Sequence, residues 1–295
     1  MNIACIIVSF NPDISRLLML VNDITNQGAK PILIDNDSRN FEIFSKDIPE
    51  NIYVLKLPSN MGIAHAQNVG IEYAKKIKSE YVFLFDQDSR IPADFIKNMV
   101  SEYQELELED KELGILGPRL YNDYYDFYYK ANVKGDWGGN IKVDVRNILH
   151  PLKVNFLIAS GSLMRIVLFD KVGLLKDNYF IDSVDTEFCF RTISCNYAVY
   201  MSGRNFMFHN VGDKTLKIFK WDISIHSALR RYFMLRNYIF MLNESYVSKR
   251  VVFGFLIRYL IVQSLIFIKV DNRKEYFKYF FKAIVDGLIG KGGKP

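Results

Sequence analysis

Cysteine is scarce in this chain of 295 residues, which contains three. No two of them form a CxxC pair, and an odd number without metal-ligand spacing argues against both a disulfide framework and a zinc site. A reducing cytoplasm is therefore the expected compartment for Cys5, Cys189 and Cys195.

Long apolar segments are also rare. The run Ile3 to Val8 is short and has no basic region before it, so no signal peptide is expected. The stretch 251–270 has the length to span a bilayer, but Arg258 and Gln263 interrupt it and basic residues flank it. A helix lying in the membrane interface is favoured over a spanning helix, and a buried helix that closes the core is a third reading.

Acidic residues become sparse toward the C-terminus. From Lys214 onward there are 16 Lys and Arg against 5 Asp and Glu, whereas residues 1–213 hold 22 basic and 28 acidic residues. The basic segment is rich in Phe, Tyr, Leu and Ile, a combination that favours binding to anionic lipid. No helix-turn-helix, zinc-finger or RNP-like signature accompanies it, so nucleic acid is not an expected partner.

Hydrophobic residues, at 49% of the chain, are frequent enough for a sizeable core. In the first ninety residues, short apolar runs alternate with helical stretches, a pattern typical of an α/β protein whose parallel sheet is covered on both faces. The predicted strands are Ile3–Val8, Pro31–Ile34, Ile52–Leu57 and Tyr81–Phe85, and the predicted helices are Ile14–Asn26, Ile63–Lys76 and, near the C-terminus, Ile225–Leu242.

Polar clusters follow three of the predicted strands, at Ser9–Pro12, Asp35–Ser38 and Asp86–Ser89. Asn and Asp are common turn residues, which would explain any one cluster. Three clusters at the carboxyl edge of one parallel sheet favour a ligand site. Asp86 and Asp88 are hard oxygen ligands that suit Mg²⁺ or Mn²⁺ beside a diphosphate, although a DxD sequence alone can equally be a turn.

A second acidic segment runs from Tyr179 to Arg191. Asp182 could cap a helix, with Asp185 at its third position, and Glu187 could pair with Arg191. Alternatively, Asp185 is a general base that deprotonates an attacking hydroxyl. His209, between apolar residues, is either structural or a metal ligand with Asp88.

The segment Asn60-Met61-Gly62-Ile63-Ala64, with Asn68 and Gly70, opens a helix and allows a ligand close to the backbone. Its spacing matches neither a P-loop nor the GxGxxG fingerprint. NAD and ATP are therefore disfavoured as ligands.

In this order, these pieces resemble the family 2 glycosyltransferases, and among them the bacterial rhamnosyltransferases. The matching segments are Val8-Ser9-Phe10-Asn11-Pro12, Ile34-Asp35-Asn36-Asp37-Ser38, Asn60-x-Gly62-x-Ala64-x-x-x-Asn68-x-Gly70, Phe85-Asp86-Gln87-Asp88-Ser89, Phe180-Ile181-Asp182-x-x-Asp185-x-Glu187-x-x-x-Arg191, His209-x-x-Gly212, Arg236-Asn237 and Ala283–Leu288. The likeness covers nearly the whole chain.

The resemblance implies a GT-A fold in residues 1–213, with a Rossmann-like nucleotide-sugar half at 1–112 and an acceptor half at 113–213. Residues 214–295 would then form a helical, basic and aromatic region that associates with the membrane. By this likeness, the nucleotide sugar would be bound by Ser9, Asn11, Asp35, Asn36, Gly62, Asn68 and Asp86.

The resemblance also implies that Asp88 and His209 hold the Mg²⁺ or Mn²⁺ ion and that Asp185 is the catalytic base. Val184 stands where the family usually has a second acid, so Asp182 is a secondary candidate for the base, with Glu187 and Arg191 as further candidates.

The implied reaction is metal-dependent, inverting transfer of L-rhamnose from dTDP-L-rhamnose. The acceptor would be a lipid-linked saccharide in O-antigen or capsule synthesis, at the inner face of the cytoplasmic membrane, where the protein would be peripherally associated. A UDP-hexose donor on the same fold is the nearest alternative. A non-catalytic, membrane-associated nucleotide-binding module and a nucleic-acid-binding protein are more distant ones.

Overall fold

The computed structural model describes residues 1–209, 226–270 and 272–295, together with the backbone of 215–218 and 221–224. The strands are β1 (Ile3–Ser9), β2 (Lys30–Asp35), β3 (Tyr53–Lys56), β4 (Tyr81–Asp86), β5 (Leu113–Asn122), β6 (Phe127–Tyr128), β7 (Ala131–Lys134), β8 (Asn140–Val143), β9 (Leu152–Lys153), β10 (Ser162–Arg165), β11 (Ala198–Phe208), β12 (Thr215–Ile218) and β13 (Trp221–Ser224). The helices are α1 (Ile14–Asn26), α2 (Phe41–Phe44), α3 (Ile63–Lys76), α4 (Phe95–Glu109), α5 (Leu168–Val172), α6 (Val184–Ser194), α7 (Ala228–Asn243), α8 (Lys249–Lys269) and α9 (Arg273–Leu288).

The largest sheet joins its strands in the order β3-β2-β1-β4-β10-β5-β11-β9, with β6 paired to β5. Strands β1 to β4 are mutually parallel, as predicted. Strand β10 lies antiparallel between β4 and β5, and β11 runs parallel to β5. One sheet therefore continues across residue 112, from the predicted nucleotide half into the predicted acceptor half. The predicted boundary at 213/214 lies outside the described residues.

The predicted elements of the first ninety residues are confirmed, and α1 and α3 have the predicted bounds. All seven residues of β1 are buried, as a strand covered on both faces requires. Helix α1 begins where the Asp13 carboxylate accepts a hydrogen bond from the Arg16 N–H, and it buries Leu17, Leu20, Val21 and Ile24. Separate apolar clusters form the core on the two faces of the sheet.

The C-terminal helices pack on one another and on the turn before α6. Helix α7 starts at Ala228, where Ser227 caps it; residue 225, where the sequence placed its start, lies outside the described residues. Helix α8 is long and apolar enough to cross a membrane, and 28% of its most apolar window is buried. The side of α8 that faces the protein includes the buried residues Tyr259 and Ile266, whereas Ile257 is 60% exposed. The exposure of such apolar side chains argues against α8 as a buried core helix.

Candidate active site

The polar ends of β1, β2 and β4 meet at one edge of the sheet. Ser9 is in register with Asp35, and Val8 is in register with Asp86. The turn after β4 is fixed to β1 because the Gln87 side chain accepts a hydrogen bond from the Phe10 N–H at 2.7 Å. The predicted clustering of polar strand ends is therefore confirmed.

Asp35 organises the first wall of this edge. Its fully buried carboxylate accepts hydrogen bonds from the Ser9 hydroxyl at 2.9 Å and from the Ser38 N–H at 2.8 Å. Asn36 follows, and its side-chain oxygen accepts from the Met61 N–H at 2.8 Å, which fixes the loop before α3. Ser9 and Asp35 thus shape the wall, while Asn36 reaches the cleft surface.

A cleft of about 580 Å³ opens beside this wall, and we call it the donor cleft. The predicted site residues that line it are Asn36, Gly62, Asp86, Asp88, Asp182, Asp185 and His209. Residues from both predicted halves of the sheet therefore surround one cleft. Its volume lies in the usual range for small-molecule sites.

Asp86 lies at the centre of the acidic side chains in the donor cleft. Burial raises its pKa to about 7; the negative charges of Asp88 and Asp185 contribute, and Arg230 opposes the shift. The carboxyl groups are thus close enough for their ionisations to interact. A cationic ligand would relieve this repulsion.

Asp88 and His209 lie close together at the outer end of the cleft. Asp88 is exposed, whereas His209 is partly buried against the ring of Tyr129, with ring centroids 5.8 Å apart. Burial lowers the pKa of His209, and the negative charge of Asp88 opposes this shift. Strand β11 positions the histidine, because the His209 N–H donates to the Tyr121 carbonyl at 2.9 Å.

Asp185 occupies the first turn of α6 and faces the cleft. Its carboxylate accepts hydrogen bonds from the Thr186 N–H at 2.7 Å and the Ala159 N–H at 3.3 Å. Burial raises its pKa, and these hydrogen bonds partly counter the shift. A carboxylate fixed in this way, with a raised pKa, has the properties of a general base.

The turn before α6 adopts an unusual backbone conformation. Phe180, Asp182 and Ser183 have φ values of 64°, 64° and 59°, a region that non-glycine residues rarely occupy. The Asn237 side-chain amide from α7 stabilises the turn by donating to the carbonyls of Tyr179, Ile181 and Asp182 at 2.9, 2.8 and 2.7 Å. Neighbouring Arg236 also donates to the Tyr179 carbonyl, at 2.9 Å.

Asp182 does not cap α6, so that prediction was wrong. The residue before the helix is Ser183, whose side chain makes no capping hydrogen bond. Asp182 instead accepts a hydrogen bond from Arg230 Nε at 3.3 Å. The left-handed backbone at Asp182, whose carbonyl Asn237 holds, accounts for the difference.

The same turn is joined to the loop before α3. The Ile63 N–H donates to the Phe180 carbonyl at 2.7 Å. Gly62 has a φ of 90°, and a Cβ placed on it would lie 2.6 Å from the Phe180 carbonyl oxygen. Glycine is therefore required for the two loops to approach this closely.

Comparison with known proteins agrees with this architecture. A model of the family described as "Glycosyl transferase family 2" matches residues 4–173. The chain is also 34% identical over 295 residues to the dTDP-rhamnosyl transferase RfbF of Shigella flexneri, covering 99% of this chain and 97% of that protein. The chain belongs to glycosyl transferase family 2.

Solved structures confirm the α/β fold of this glycosyltransferase. The structure of S. aureus TarS in complex with UDP-GlcNAc superposes with a TM-score of 0.58 and 14% identity, covering 97% of this chain and 81% of that one. The structure of GalNAc-T7 with UDP, GalNAc and Mn²⁺ gives a TM-score of 0.58 and 12% identity, covering 88% of this chain and 55% of that one. At these identities, the likeness shows the GT-A-like fold.

Four of the residues predicted to bind the nucleotide sugar do not line the donor cleft of this glycosyltransferase: Ser9 and Asp35, which lie behind its wall, and Asn11 and Asn68. Buried Asn68 donates to the Leu175 carbonyl at 2.8 Å and to Asp177 Oδ1 at 2.6 Å, so its amide holds the segment after α5. Exposed Asn11 accepts from the Arg39 N–H at 2.9 Å and thereby joins two loops.

Glu187 and Arg191 form the predicted i,i+4 ion pair, with Arg191 Nε donating to Glu187 Oε1 at 2.8 Å. Glu187 is fully buried and also accepts from the Tyr246 hydroxyl. Arg191 further donates to the carbonyls of Val172 and Leu174 at 2.7 and 2.8 Å. The pair anchors α6 beneath the cleft.

Sequence reasoning assigned no role to three residues at this site: Arg230 and Gln87, which line the donor cleft, and Asn237, which belongs to the matched Arg236-Asn237 pair and holds the turn. Gln87 lies between Asp86 and Asp88 in the DxD segment, so a contact between its side chain and the loop after β1 could have been considered. Arg230 and Asn237 come from the basic aromatic segment, and no local pattern connects them with residues some fifty positions earlier.

Proposed function

We propose that this glycosyltransferase moves L-rhamnose from dTDP-L-rhamnose to a hydroxyl of a lipid-linked saccharide, with inversion at the sugar carbon. The observation that carries the proposal is the 34% identity, over 99% of the chain, to a protein named as a dTDP-rhamnosyl transferase. The product would belong to a cell-surface polysaccharide such as O-antigen or capsule.

In this mechanism, Asp185 accepts the proton of the acceptor hydroxyl. The acceptor oxygen bonds to the sugar carbon from the face opposite the diphosphate, and the bond between that carbon and the diphosphate oxygen breaks. The Thr186 and Ala159 N–H groups keep the Asp185 carboxylate in position. Asp182 is less suited to this role, because its Oδ1 already accepts a hydrogen bond from Arg230 Nε and its Oδ2 is buried.

The other cleft residues bind the donor. Asn36, Gly62 and Asp86 line the cleft. In this proposal, Asn36 and Gly62 contact the nucleoside and Asp86 approaches the ribose. Arg230 faces the acidic cluster, and its guanidinium suits the charge that grows on the departing dTDP.

The donor set at Asp88 and His209 fits Mg²⁺ or Mn²⁺. Among the described residues, no group of three or more His, Cys, Asp and Glu is arranged to hold a metal ion. Two protein ligands nevertheless suffice for an ion that takes its remaining ligands from diphosphate and water, as Mg²⁺ usually does. When bound, such an ion neutralises charge on the diphosphate.

We place the protein in the cytoplasm, peripherally bound to the inner face of the membrane. The supporting feature is the apolar surface of α8 and α9, where Phe253, Ile257, Phe281 and Val285 are each more than half exposed. Basic residues accompany this surface, which suits an anionic leaflet.

The test is transfer and hydrolysis by the purified protein with a panel of dTDP- and UDP-sugars, in the presence of Mn²⁺ or Mg²⁺. The variants are Asp88→Ala and Asp185→Asn, and Asp170→Asn on α5 is the matched control because this exposed carboxylate pairs with Lys75 outside the cleft. Calorimetry with dTDP and UDP accompanies the assay, so that binding is measured even when the acceptor is wrong.

Turnover of dTDP-L-rhamnose that EDTA and both site variants abolish, and that Asp170→Asn leaves intact, would support the proposal. Turnover of a UDP-hexose instead would support glycosyl transfer but contradict L-rhamnose as the transferred sugar. If neither dTDP nor UDP binds with metal present, the proposed function is wrong.

A further inference from the structure

A second cavity, of about 900 Å³, adjoins the donor cleft at Ser183, which lines both. Its walls come from the β7–β8 hairpin, α7 and α8. Four cations line it, namely Lys142, Arg231, Arg250 and Arg258, and we call it the cationic cavity. Thr186, next to Asp185, also lines it, so the cavity begins beside the catalytic base.

These four cations form no ion pair with an acidic side chain in the part of the chain that the structure describes. Buried Arg231 donates instead to the Gln263 side chain and to the Tyr259 carbonyl. Arg250 donates to the Trp137 carbonyl. Within the described part of the chain, the cavity therefore concentrates positive charge that no ion pair neutralises.

The like charges also act on one another. Lys142 is exposed, but partial desolvation by the surrounding atoms lowers its pKa, and the nearby positive charges of Arg258 and Lys130 lower it further. Such crowding destabilises the charged forms unless an anion binds between them. A bound phosphate would accept charge-assisted hydrogen bonds from several of these groups together.

The two sides of the cavity are fixed relative to one another. The Ser248 hydroxyl, just before α8, donates to the Gly138 carbonyl at the hairpin tip at 3.1 Å, and Arg250 bonds the adjacent Trp137 carbonyl. Lys142 on β8 and Arg258 on α8 are therefore presented to one space by two connected elements.

The remaining lining is apolar. Phe255, Ile257, Ile261 and Val262 of α8 line the cavity, and Ile257 and Ile261 continue onto the exposed surface of the helix. A ligand that fits this arrangement carries an anionic group next to a hydrocarbon chain. Neither a neutral saccharide nor a free inorganic anion would use both features.

We propose that the cationic cavity binds the phosphate or diphosphate of a lipid acceptor, whose hydrocarbon chain lies along α8 and whose sugar reaches Asp185. This assignment rests on the proposed transferase function and specifies the acceptor chemistry at the same site. Anionic headgroups of the bilayer have the same phosphate chemistry, and the test distinguishes the two sources.

Geranyl diphosphate and geraniol are titrated into the full-length protein, with Mg²⁺ and saturating dTDP present to keep the probe out of the donor cleft. The variants are Lys142→Gln and Arg258→Gln, both exposed positions. Lys269→Gln, at the far end of α8 and outside the cavity lining, is the control with the same change of charge. Binding to phosphatidylglycerol vesicles and to dTDP is measured on the same samples.

We expect geranyl diphosphate to bind and geraniol to bind at least tenfold more weakly. Each cavity variant should raise the Kd for geranyl diphosphate about tenfold, as loss of a charge-assisted hydrogen bond implies, and Lys269→Gln should not. Equal effects of all three variants on geranyl diphosphate would overturn the proposal. So would cavity variants that weaken vesicle binding while leaving geranyl diphosphate binding unchanged. Because dTDP binding is measured separately, failure of the donor cleft is distinguished from failure of the cavity.

Discussion

Replacing Gly62 with alanine tests how the loop before α3 and the turn before α6 are joined. The added Cβ would lie 2.6 Å from the Phe180 carbonyl oxygen and 2.8 Å from its Cα. Both are backbone atoms, so a side-chain rotation cannot relieve the overlap. The φ of 90° and ψ of 161° at Gly62 also belong to a region that is almost restricted to glycine.

These two effects set the expected loss in the free energy of unfolding. Backbone strain of this kind lowers it by about 1–3 kcal/mol, and overpacking lowers it by about 1–3 kcal/mol more. Gly28→Ala is the matched control, because Gly28 has a φ of 76° but no atom within 4 Å of the added Cβ. It should lose about 1–2 kcal/mol through strain alone. With about 2–4 °C per kcal/mol, Gly62→Ala should melt several degrees below Gly28→Ala.

Thermal unfolding followed by circular dichroism measures this difference, and transfer assays measure its functional consequence. Gly28 precedes β2, at the edge of the sheet opposite the cleft, so Gly28→Ala should retain wild-type kcat. Gly62→Ala should lower kcat, because Phe180 must move and it leads directly to Asp182 and Asp185. Equal melting temperatures for the two variants, with full activity in both, would refute the reasoning.

The site yields four further predictions. Asn237→Asp removes a side-chain amide that donates to three carbonyls of the turn before α6, so kcat and the melting temperature should both fall. Asn243→Asp, at the exposed end of α7, is the control. Equal effects of the two variants would argue against a role of Asn237 in holding the turn. Because burial raises the pKa of Asp185 above 3.8, the acid limb of kcat/KM should lie above the usual Asp range, and an acid limb at 3.8 would contradict this. The folded state binds that proton more tightly than the unfolded state, so ionised Asp185 costs stability at neutral pH, a cost relieved as the pH falls. Asp185→Asn should therefore melt no lower than wild type at pH 7, and a large drop would contradict this. Glu187→Gln should melt lower, because it leaves Arg191 without its buried charge partner, and an unchanged melting temperature would show that the pair is not needed.

Local signals made the first part of the fold predictable. Helix α1 begins at an Asp cap and buries a regular apolar stripe, and β1 is an unbroken apolar run. The parallel arrangement then brings the ends of β1, β2 and β4 to one edge without further information. Asp86 and Asp88 could thus be placed in a cleft from sequence alone.

The remaining features of the fold and of the site depend on contacts between segments that are distant in the sequence. Strand β10, at Ser162–Arg165, pairs with both β4 and β5, and its four residues carry no periodic signal. Arg230 reaches Asp182, 48 positions earlier, and Asn237 holds the same turn. The expected Asp182 cap failed because the long-range clamp imposes a left-handed backbone that local capping rules do not foresee. Asn68, which the resemblance placed at the nucleotide sugar, holds a neighbouring loop through its hydrogen bonds, and Arg191 forms the ion pair with Glu187 that the spacing predicted.

The most direct test compares binding and transfer in one variant. dTDP-L-rhamnose is titrated by calorimetry, with Mn²⁺, into wild type and Asp185→Asn, and transfer to a lipid extract of the producing cells is measured on the same samples. We predict that Asp185→Asn binds the donor like wild type while transfer falls about 10²–10⁴-fold. Wild-type transfer by Asp185→Asn, or no binding of dTDP-L-rhamnose to the wild-type protein, would contradict the account.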